Sequence, residues 1–115
     1  MVAISVEEFE SLVADTLDQI PASLGAAMEN VAVMVDSASP PGRLFGLYEG
    51  IPLTKRGPMS YNGVMPDRIT LYQKTICQHC HSEAEVEAQI RKTVIHEVAH
   101  HFGISDPRLL ELGWA

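Results

Sequence analysis

Residues 82–106 constrain the fold of this chain more than any other segment. Ser82 is followed three residues later by Glu85, a pairing typical of a capping box at the start of a helix. Apolar residues then recur at helical spacing, and Gly103 provides a residue that tolerates positive φ where the helix must end. The segment predicts one long helix near the C-terminus, around which the rest of the chain is organised.

Three polar side chains interrupt the apolar C-terminal half of this helix. At 100° per residue, His96, Glu97 and His100 fall within an arc of roughly 100°, and apolar side chains cover most of the remaining circumference. Burying two imidazoles and a carboxylate is costly unless other groups satisfy them. Histidines four residues apart on a helix can share one Zn²⁺, and a glutamate after the first can act as general base toward a metal-bound water. The pattern therefore predicts a metal site on this face.

Asp106 lies where a loop returning after Gly103 could supply a third, oxygen ligand. An alternative role is also open, because an aspartate before Pro107 is suited to cap a short last helix at residues 108–112. One carboxylate oxygen could cap while the other binds the ion. His101 lies in the apolar sector of the long helix and is predicted to be a hydrogen-bonded core histidine or a support for the ligands, not a ligand.

The bulk properties are those of one small globular domain spanning residues 1–115. The formal net charge of −7 argues against binding to nucleic acid through its phosphates and mildly favours a basic peptide as substrate. No apolar run is long enough to span a membrane, and the N-terminus lacks the basic and apolar regions of a leader. We therefore expect a cytoplasmic protein that does not bind membranes.

The remaining segments alternate between helical and extended patterns, separated by proline and glycine. The predicted elements are a helix from Ser5 to near Pro21, a buried central strand at residues 30–36, a second strand at 44–49, an irregular connection at 50–66 and a third strand at 68–76. Gly46 indicates a bulge or close packing in the second strand, and Trp114 is expected to fold back on the core. This order predicts an α+β fold of two layers.

Two cysteines precede the long helix in the sequence C-Q-H-C-H, at residues 77–81, which is predicted to be a turn. A turn before a helix N-terminus lowers a thiol pKa, which would suit a reversible disulfide between Cys77 and Cys80 that gates the site. The same C-x-x-C spacing is a fragment of many zinc sites, and C-x-x-C-H is also the attachment signature for c-type haem. A redox role, a secondary metal site, haem attachment and no special role all stay open.

With the motif at residues 96–106 identified, the sequence resembles the zincin metallopeptidases. More narrowly, it is similar to a short bacterial zincin-like family whose members are little more than the catalytic half. The resemblance extends to the segments V-A-V-M-V-D, L-F-G-L-Y-E-G-I-P-L-T-K-R and D-R-I-T-L-Y. It implies that His96, His100 and Asp106 bind Zn²⁺ and that Glu97 is the general base.

The resemblance also implies a minimal zincin-like fold, in which a small mixed sheet packs on a long N-terminal helix and on the C-terminal motif helix. An edge strand of such a sheet could hold an extended peptide. The D-R-I-T-L-Y strand is the candidate for that edge, because it leads toward the motif helix.

The chain departs from the larger zincins after the motif. Those proteins carry a second subdomain that forms the far wall of the cleft, whereas this sequence ends at Ala115. No tyrosine or histidine follows the motif to stabilise an oxyanion, so Tyr48, Tyr61 and Tyr72 could do so only if the fold brings one of them over the metal.

The expected function is Zn²⁺-dependent hydrolysis of peptide bonds in a peptide or protein substrate. The alternative is a non-catalytic zinc-binding module that holds an extended peptide or a partner protein along an edge strand. In either case a partner protein could complete the cleft.

Overall fold

The computed structural model describes residues 1–29, 31–37, 44–50 and 67–114, so the predicted connection at 50–66 lies, apart from Gly50, outside the described residues. The described part of the chain contains five helices and three strands. In chain order these are α1 (Val6–Asp18), α2 (Ala22–Ala27), β1 (Val31–Asp36), β2 (Gly46–Glu49), β3 (Asp67–Tyr72), α3 (Gln73–His79), α4 (Glu83–His101) and α5 (Asp106–Leu112).

The three strands form one mixed sheet in the order β1-β3-β2, with β1 parallel and β2 antiparallel to β3. Helix α4 packs against β2, β3, α1 and α3, so it lies at the centre of the helical layer. The predicted two-layer α+β fold with a small mixed sheet is confirmed. None of the helices within the described ranges is long and apolar enough to cross a membrane.

The strand order differs from the prediction. Strand β3, predicted to be the peptide-holding edge, is central, because it pairs with β1 on one side and β2 on the other. Its inward side chains Ile69 and Leu71 are fully buried. Strand β1, predicted to be central from its apolar composition, pairs only with β3 among the described strands, and its Met34 is 49% exposed. Composition alone therefore overestimated the burial of β1.

The predicted strand at residues 68–76 and the predicted turn at 77–81 are both partly wrong. The strand ends at Tyr72, and α3 follows without a loop. Alternation of buried and exposed side chains stops at this point, and the buried residues then recur at helical spacing, as Gln73, Ile76, Cys77 and Cys80. The buried amide of Gln73 donates to the backbone oxygen of Ile4 at 2.7 Å, which ties α3 to the N-terminus.

The helix boundaries set by local capping are confirmed. Ser5 Oγ accepts from the Glu8 amide at the start of α1, and Ser82 Oγ accepts from the Glu85 amide at the start of α4. The Glu85 carboxylate also accepts from the backbone N–H of His81. These contacts satisfy amide groups that have no partner within a helix.

The C-terminal end of the described chain folds back as predicted. Gly103 has a φ of 71°, which lets the chain reverse after α4. Trp114 is 7% exposed and its indole N–H donates to Ser23 Oγ at 2.6 Å, so the end of α5 is fixed against α2. Helix α2 itself was not predicted, because its six residues are too few for a periodic pattern to stand out.

Candidate functional site

The three polar residues of the motif lie in one groove. His96, Glu97 and His100 project from α4 into an open groove of about 490 Å³, which Phe45 and Gly46 also line at the start of β2. His96 and Glu97 are half-buried and His100 is exposed, whereas the apolar residues around them on α4 are buried. The predicted polar face on an otherwise buried segment is therefore confirmed.

The two imidazoles suit a shared metal ion. Their ring centroids are 6.2 Å apart with an angle of 60° between the rings. Two imidazoles bound to one tetrahedral Zn²⁺ have centroids about 5 Å apart, so the observed separation exceeds that arrangement by only about 1 Å. In chemistry and in spacing, His96 and His100 fit two of the ligand positions of a zinc ion.

The described residues contain no group of three histidine, cysteine, aspartate or glutamate side chains placed to hold a metal. The structure thus does not bring Asp106 together with His96 and His100, and its role as third ligand stays a prediction. Its predicted role as N-cap is wrong. Ser105 is the N-cap of α5, with its Oγ accepting from the Arg108 amide at 3.3 Å, and Asp106 is exposed at the first helical position.

Glu97 is held by the backbone of strand β2. Its Oε1 accepts a hydrogen bond from the Tyr48 N–H at 2.9 Å. A hydrogen bond to a charged acceptor is among the stronger kinds, and here it fixes one carboxylate oxygen against the sheet. The contact is possible because β2 lies very close to α4. A Cβ added at Gly46 would be 2.7 Å from Thr93 Cγ2 and 3.0 Å from the Thr70 oxygen.

The side chain of Tyr48 is anchored in turn by residues from α4 and β3. Its ring stacks on His101, with centroids 4.0 Å apart and 18° between the rings, and its hydroxyl donates to Asp67 Oδ2 at 2.7 Å. His101 Nε2 lies 3.7 Å from the same oxygen. We call Tyr48, His101 and Asp67 the anchor cluster. Of the two roles predicted for His101, that of a core histidine is wrong, since its side chain is 36% exposed.

No local pattern in the sequence indicates the anchor cluster, because its three members are far apart in the chain and only tertiary packing joins them. Of the tyrosines considered for an oxyanion, Tyr48 contacts Glu97 through its backbone and Asp67 through its hydroxyl, and Tyr72 lines a cavity with Met34 and Asp36. Tyr61 lies outside the described residues. An oxyanion role for any of them stays a prediction.

The two cysteines are free and buried in the core. Burial raises the pKa of the Cys77 thiol, and burial together with the nearby Glu85 carboxylate raises the pKa of Cys80. The expectation of a lowered thiol pKa is therefore wrong, because these residues lie in and at the end of α3 and not in an exposed turn. No third ligand among the described residues joins them in a metal site.

The sequence did not place Gln89, Lys92 or His79 in the groove. Gln89 and Lys92 extend the lining of the groove toward the N-terminal end of α4, and His79 from α3 meets them there. Lys92 precedes His96 by four residues, so helical spacing could have indicated that the two share a face.

Comparison with known proteins supports the resemblance to the zincin-like family and the fold. The model of a family described as zincin-like metallopeptidase matches residues 25–114. A solved structure of a conserved hypothetical protein from Thermo thermophilus is similar, with a TM-score of 0.56 and 24% identity over 86% of this chain and 94% of that chain. At this identity the likeness shows the fold alone. No curated protein matches the sequence.

Proposed function

This chain belongs to the zincin-like metallopeptidase family, and we propose that it hydrolyses peptide bonds with Zn²⁺ as cofactor and Glu97 as general base. The observation that carries the proposal is the shared groove, which His96, Glu97 and His100 all line while the Tyr48 N–H holds the Glu97 carboxylate. A carboxylate beside two imidazoles is one arrangement that supports metal-assisted hydrolysis.

His96 and His100 would hold the ion, and Asp106 is the proposed third ligand because of its place in the motif. When bound, Zn²⁺ would supply a Lewis acid that polarises the scissile carbonyl and lowers the pKa of the attacking water. Glu97 would take the proton of that water and return it to the leaving amine. With Oε1 engaged by the Tyr48 N–H, Oε2 is the proposed site of the transferred proton.

The first test separates metal binding from turnover. Glu97→Gln is expected to retain Zn²⁺, measured by elemental analysis of protein purified without chelator, because the imidazoles are unchanged. Chelator-sensitive cleavage of a quenched fluorescent peptide library is expected to fall by about 10²- to 10⁴-fold, the usual contribution of a general base. Glu87→Gln, elsewhere on α4, is the matched control and should leave both readouts unchanged. Undiminished cleavage by Glu97→Gln would remove Glu97 from the mechanism.

The second test concerns the ligands. His96→Ala and Asp106→Ala are each expected to abolish the increase in melting temperature that added Zn²⁺ causes in the parent protein, because a ligand stabilises the state that binds it. His81→Ala is the control, since His81 is exposed and does not line the groove. If Asp106→Ala keeps the full Zn²⁺ response, the third ligand is another group.

The same library distinguishes the alternative function. Saturable peptide binding without chelator-sensitive cleavage would favour the non-catalytic zinc-binding module. In that case β2 is the strand that would hold the peptide. Among the described strands it is the outer one beside α4, whereas β3 is central.

A further inference from the structure

Lys92 is the charged residue of the groove to which the proposed chemistry assigns no role. Among the described residues that line the groove, Lys92 supplies the one ammonium group and Glu97 the one carboxylate. Glu97 is reserved for proton transfer, and His96 and His100 for the metal. Lys92 is exposed, and within the described part of the chain it makes no ion pair.

The position of Lys92 relative to the motif is set by the helix. It lies on the same face as His96 and one turn toward the N-terminus, a distance of about 6 Å along the axis of α4. An extended peptide advances about 3.3 Å per residue, so a substrate lying along α4 would present a side chain near Lys92 about two residues from the bond at the metal.

Beyond Lys92 the groove continues into an adjoining cavity, and the side chains that line it beside Lys92 are held by their own contacts. Lys92, Gln89 and His79 also line an adjoining cavity of about 220 Å³. The Gln89 amide donates to Thr93 Oγ1 at 3.0 Å, and the His79 ring packs against Phe45 with centroids 5.1 Å apart. Because both neighbours are held by contacts of their own, the ammonium group of Lys92 is left as the free cation at this end of the described groove.

We infer that Lys92 binds a carboxylate of the substrate peptide, about two residues from the cleaved bond, so that the groove selects peptides with an acidic group at that position. The inference rests on the proposed function for the location of the bond. Binding of the carboxylate itself requires only the groove and Lys92, and it can be measured without turnover.

The net negative charge of the chain repels an acidic peptide, whereas the ammonium group of Lys92 attracts its carboxylate. Which effect is larger depends on the distance of each charge from that carboxylate. Most of the charges that make up the net −7 lie outside the groove, and salt screens exposed charges beyond roughly 10 Å. A carboxylate in direct contact with Lys92 is screened far less. Glu85 is the acidic residue that lines the adjoining cavity, and its carboxylate accepts from the His81 N–H. The local cation therefore determines selectivity at this one position.

The experiment measures binding to the Glu97→Gln variant of the whole 115-residue chain loaded with Zn²⁺, because this substitution prevents turnover. The probes are fluorescein-labelled hexapeptide pools with one position fixed as Glu, Gln or Lys and the others uncharged, each with an amidated or a free C-terminus. At one fixed position, Glu is expected to bind about two- to fivefold more tightly than Gln, as for an exposed ion pair, and the gain should shrink as NaCl is raised. The amidated and free pools distinguish a side-chain carboxylate from a C-terminal one.

Variants identify Lys92 as the cause. Lys92→Met should abolish the preference for Glu and Lys92→Glu should reverse it in favour of Lys. Lys74→Glu changes the net charge by the same amount as Lys92→Glu at an exposed site outside the groove, and it should keep the preference. An unchanged preference in Lys92→Met, equal loss in Lys74→Glu, or no binding by any pool overturns the inference.

Cleavage by the parent protein is measured separately with the same pools. Lys92-dependent binding of the acidic pools without cleavage supports the inference and contradicts the proposed peptidase activity. Cleavage at a rate that does not depend on the residue at the fixed position supports the peptidase activity and contradicts the inference.

Discussion

Gly46 shows how one residue determines the position of the Glu97 carboxylate. Without a side chain at this position, β2 approaches α4 closely enough for the Tyr48 N–H to reach Glu97. The sequence predicted close packing or a bulge at this glycine, and close packing is confirmed. It did not indicate the partner, because Thr93 is 47 positions further along the chain.

Gly46→Ala is expected to lower the free energy of unfolding by about 1–3 kcal/mol, because the added methyl group would overlap Thr93 Cγ2 and the Thr70 backbone. Gly25→Ala is the matched control, since an added Cβ there meets nothing within 4 Å, and alanine is the better helix former in α2. It should be neutral or stabilising. Urea unfolding measures the free energy of unfolding of both variants. An equal change in the two would contradict the close approach of β2 to α4 at Gly46.

His101 is the residue at which reasoning from the helical pattern was wrong. Its angular position among apolar residues predicted burial, yet its ring stacks on Tyr48 and is partly exposed. Phe102, which follows directly at the C-cap of α4, is also 51% exposed. Periodicity indicates the direction of a side chain on a helix, whereas its burial depends on which elements cover that direction.

At the scale of elements, β2 is a short strand that the anchor cluster fixes in place. It has only four residues, and it pairs with β3 on one side. The Tyr48 hydroxyl links it to Asp67 in β3 and the Tyr48 ring links it to His101 in α4. We therefore expect the orientation of Glu97 to depend on a tyrosine side chain that does not itself line the groove.

Tyr48→Phe is expected to reduce kcat several-fold with little change in KM, because loss of the hydrogen bond to Asp67 loosens β2 and the amide that orients Glu97. The free energy of unfolding should fall by only about 0.5–1.5 kcal/mol. Tyr72→Phe, in β3 and away from the groove, is the control. Steady-state kinetics on a cleaved peptide measure both variants, and equal losses of kcat in the two would contradict a positioning role for Tyr48.

Elements with local signals were predicted better than elements without them. Helices α1 and α4 begin with serine caps that lie within four residues of their partners, so their starts follow from neighbouring sequence. The change from β3 to α3 has no side-chain cap to mark it. The sheet order was wrong because pairing between strands joins distant segments, and composition does not specify which strand takes the middle.

At the scale of the whole molecule, one core joins both layers and includes the two thiols. Cys77 and Cys80 belong to the same buried cluster as Ile90 and Val94 of α4 and the inward residues of β3. Their burial opposes the redox role that the C-x-x-C spacing left open, since the thiolate is the reactive form and burial disfavours it.

The buried thiols predict a stability that depends on alkaline pH. Burial raises both thiol pKa values above their ordinary value of 9.0, so above about pH 9 the unfolded chain releases these protons more readily than the folded chain. This contribution is fully present below pH 9 and is lost as pH rises through the folded pKa values. Urea unfolding from about pH 8 to 10 should show a steeper loss in the parent than in a Cys77→Ala/Cys80→Ala variant. An equal loss of unfolding free energy with rising pH in the two proteins would contradict the prediction.

The sequence by itself determined the α+β class, the long C-terminal helix, its reversal at Gly103, and the face shared by His96, Glu97 and His100, because each depends on residues within a few positions of one another. Tertiary structure alone decided that β3 is central, that the Tyr48 N–H holds Glu97, and that His79 lines the same groove as Lys92. These contacts join segments far apart in the chain. Their formation depends on how the layers pack, which no local pattern specifies.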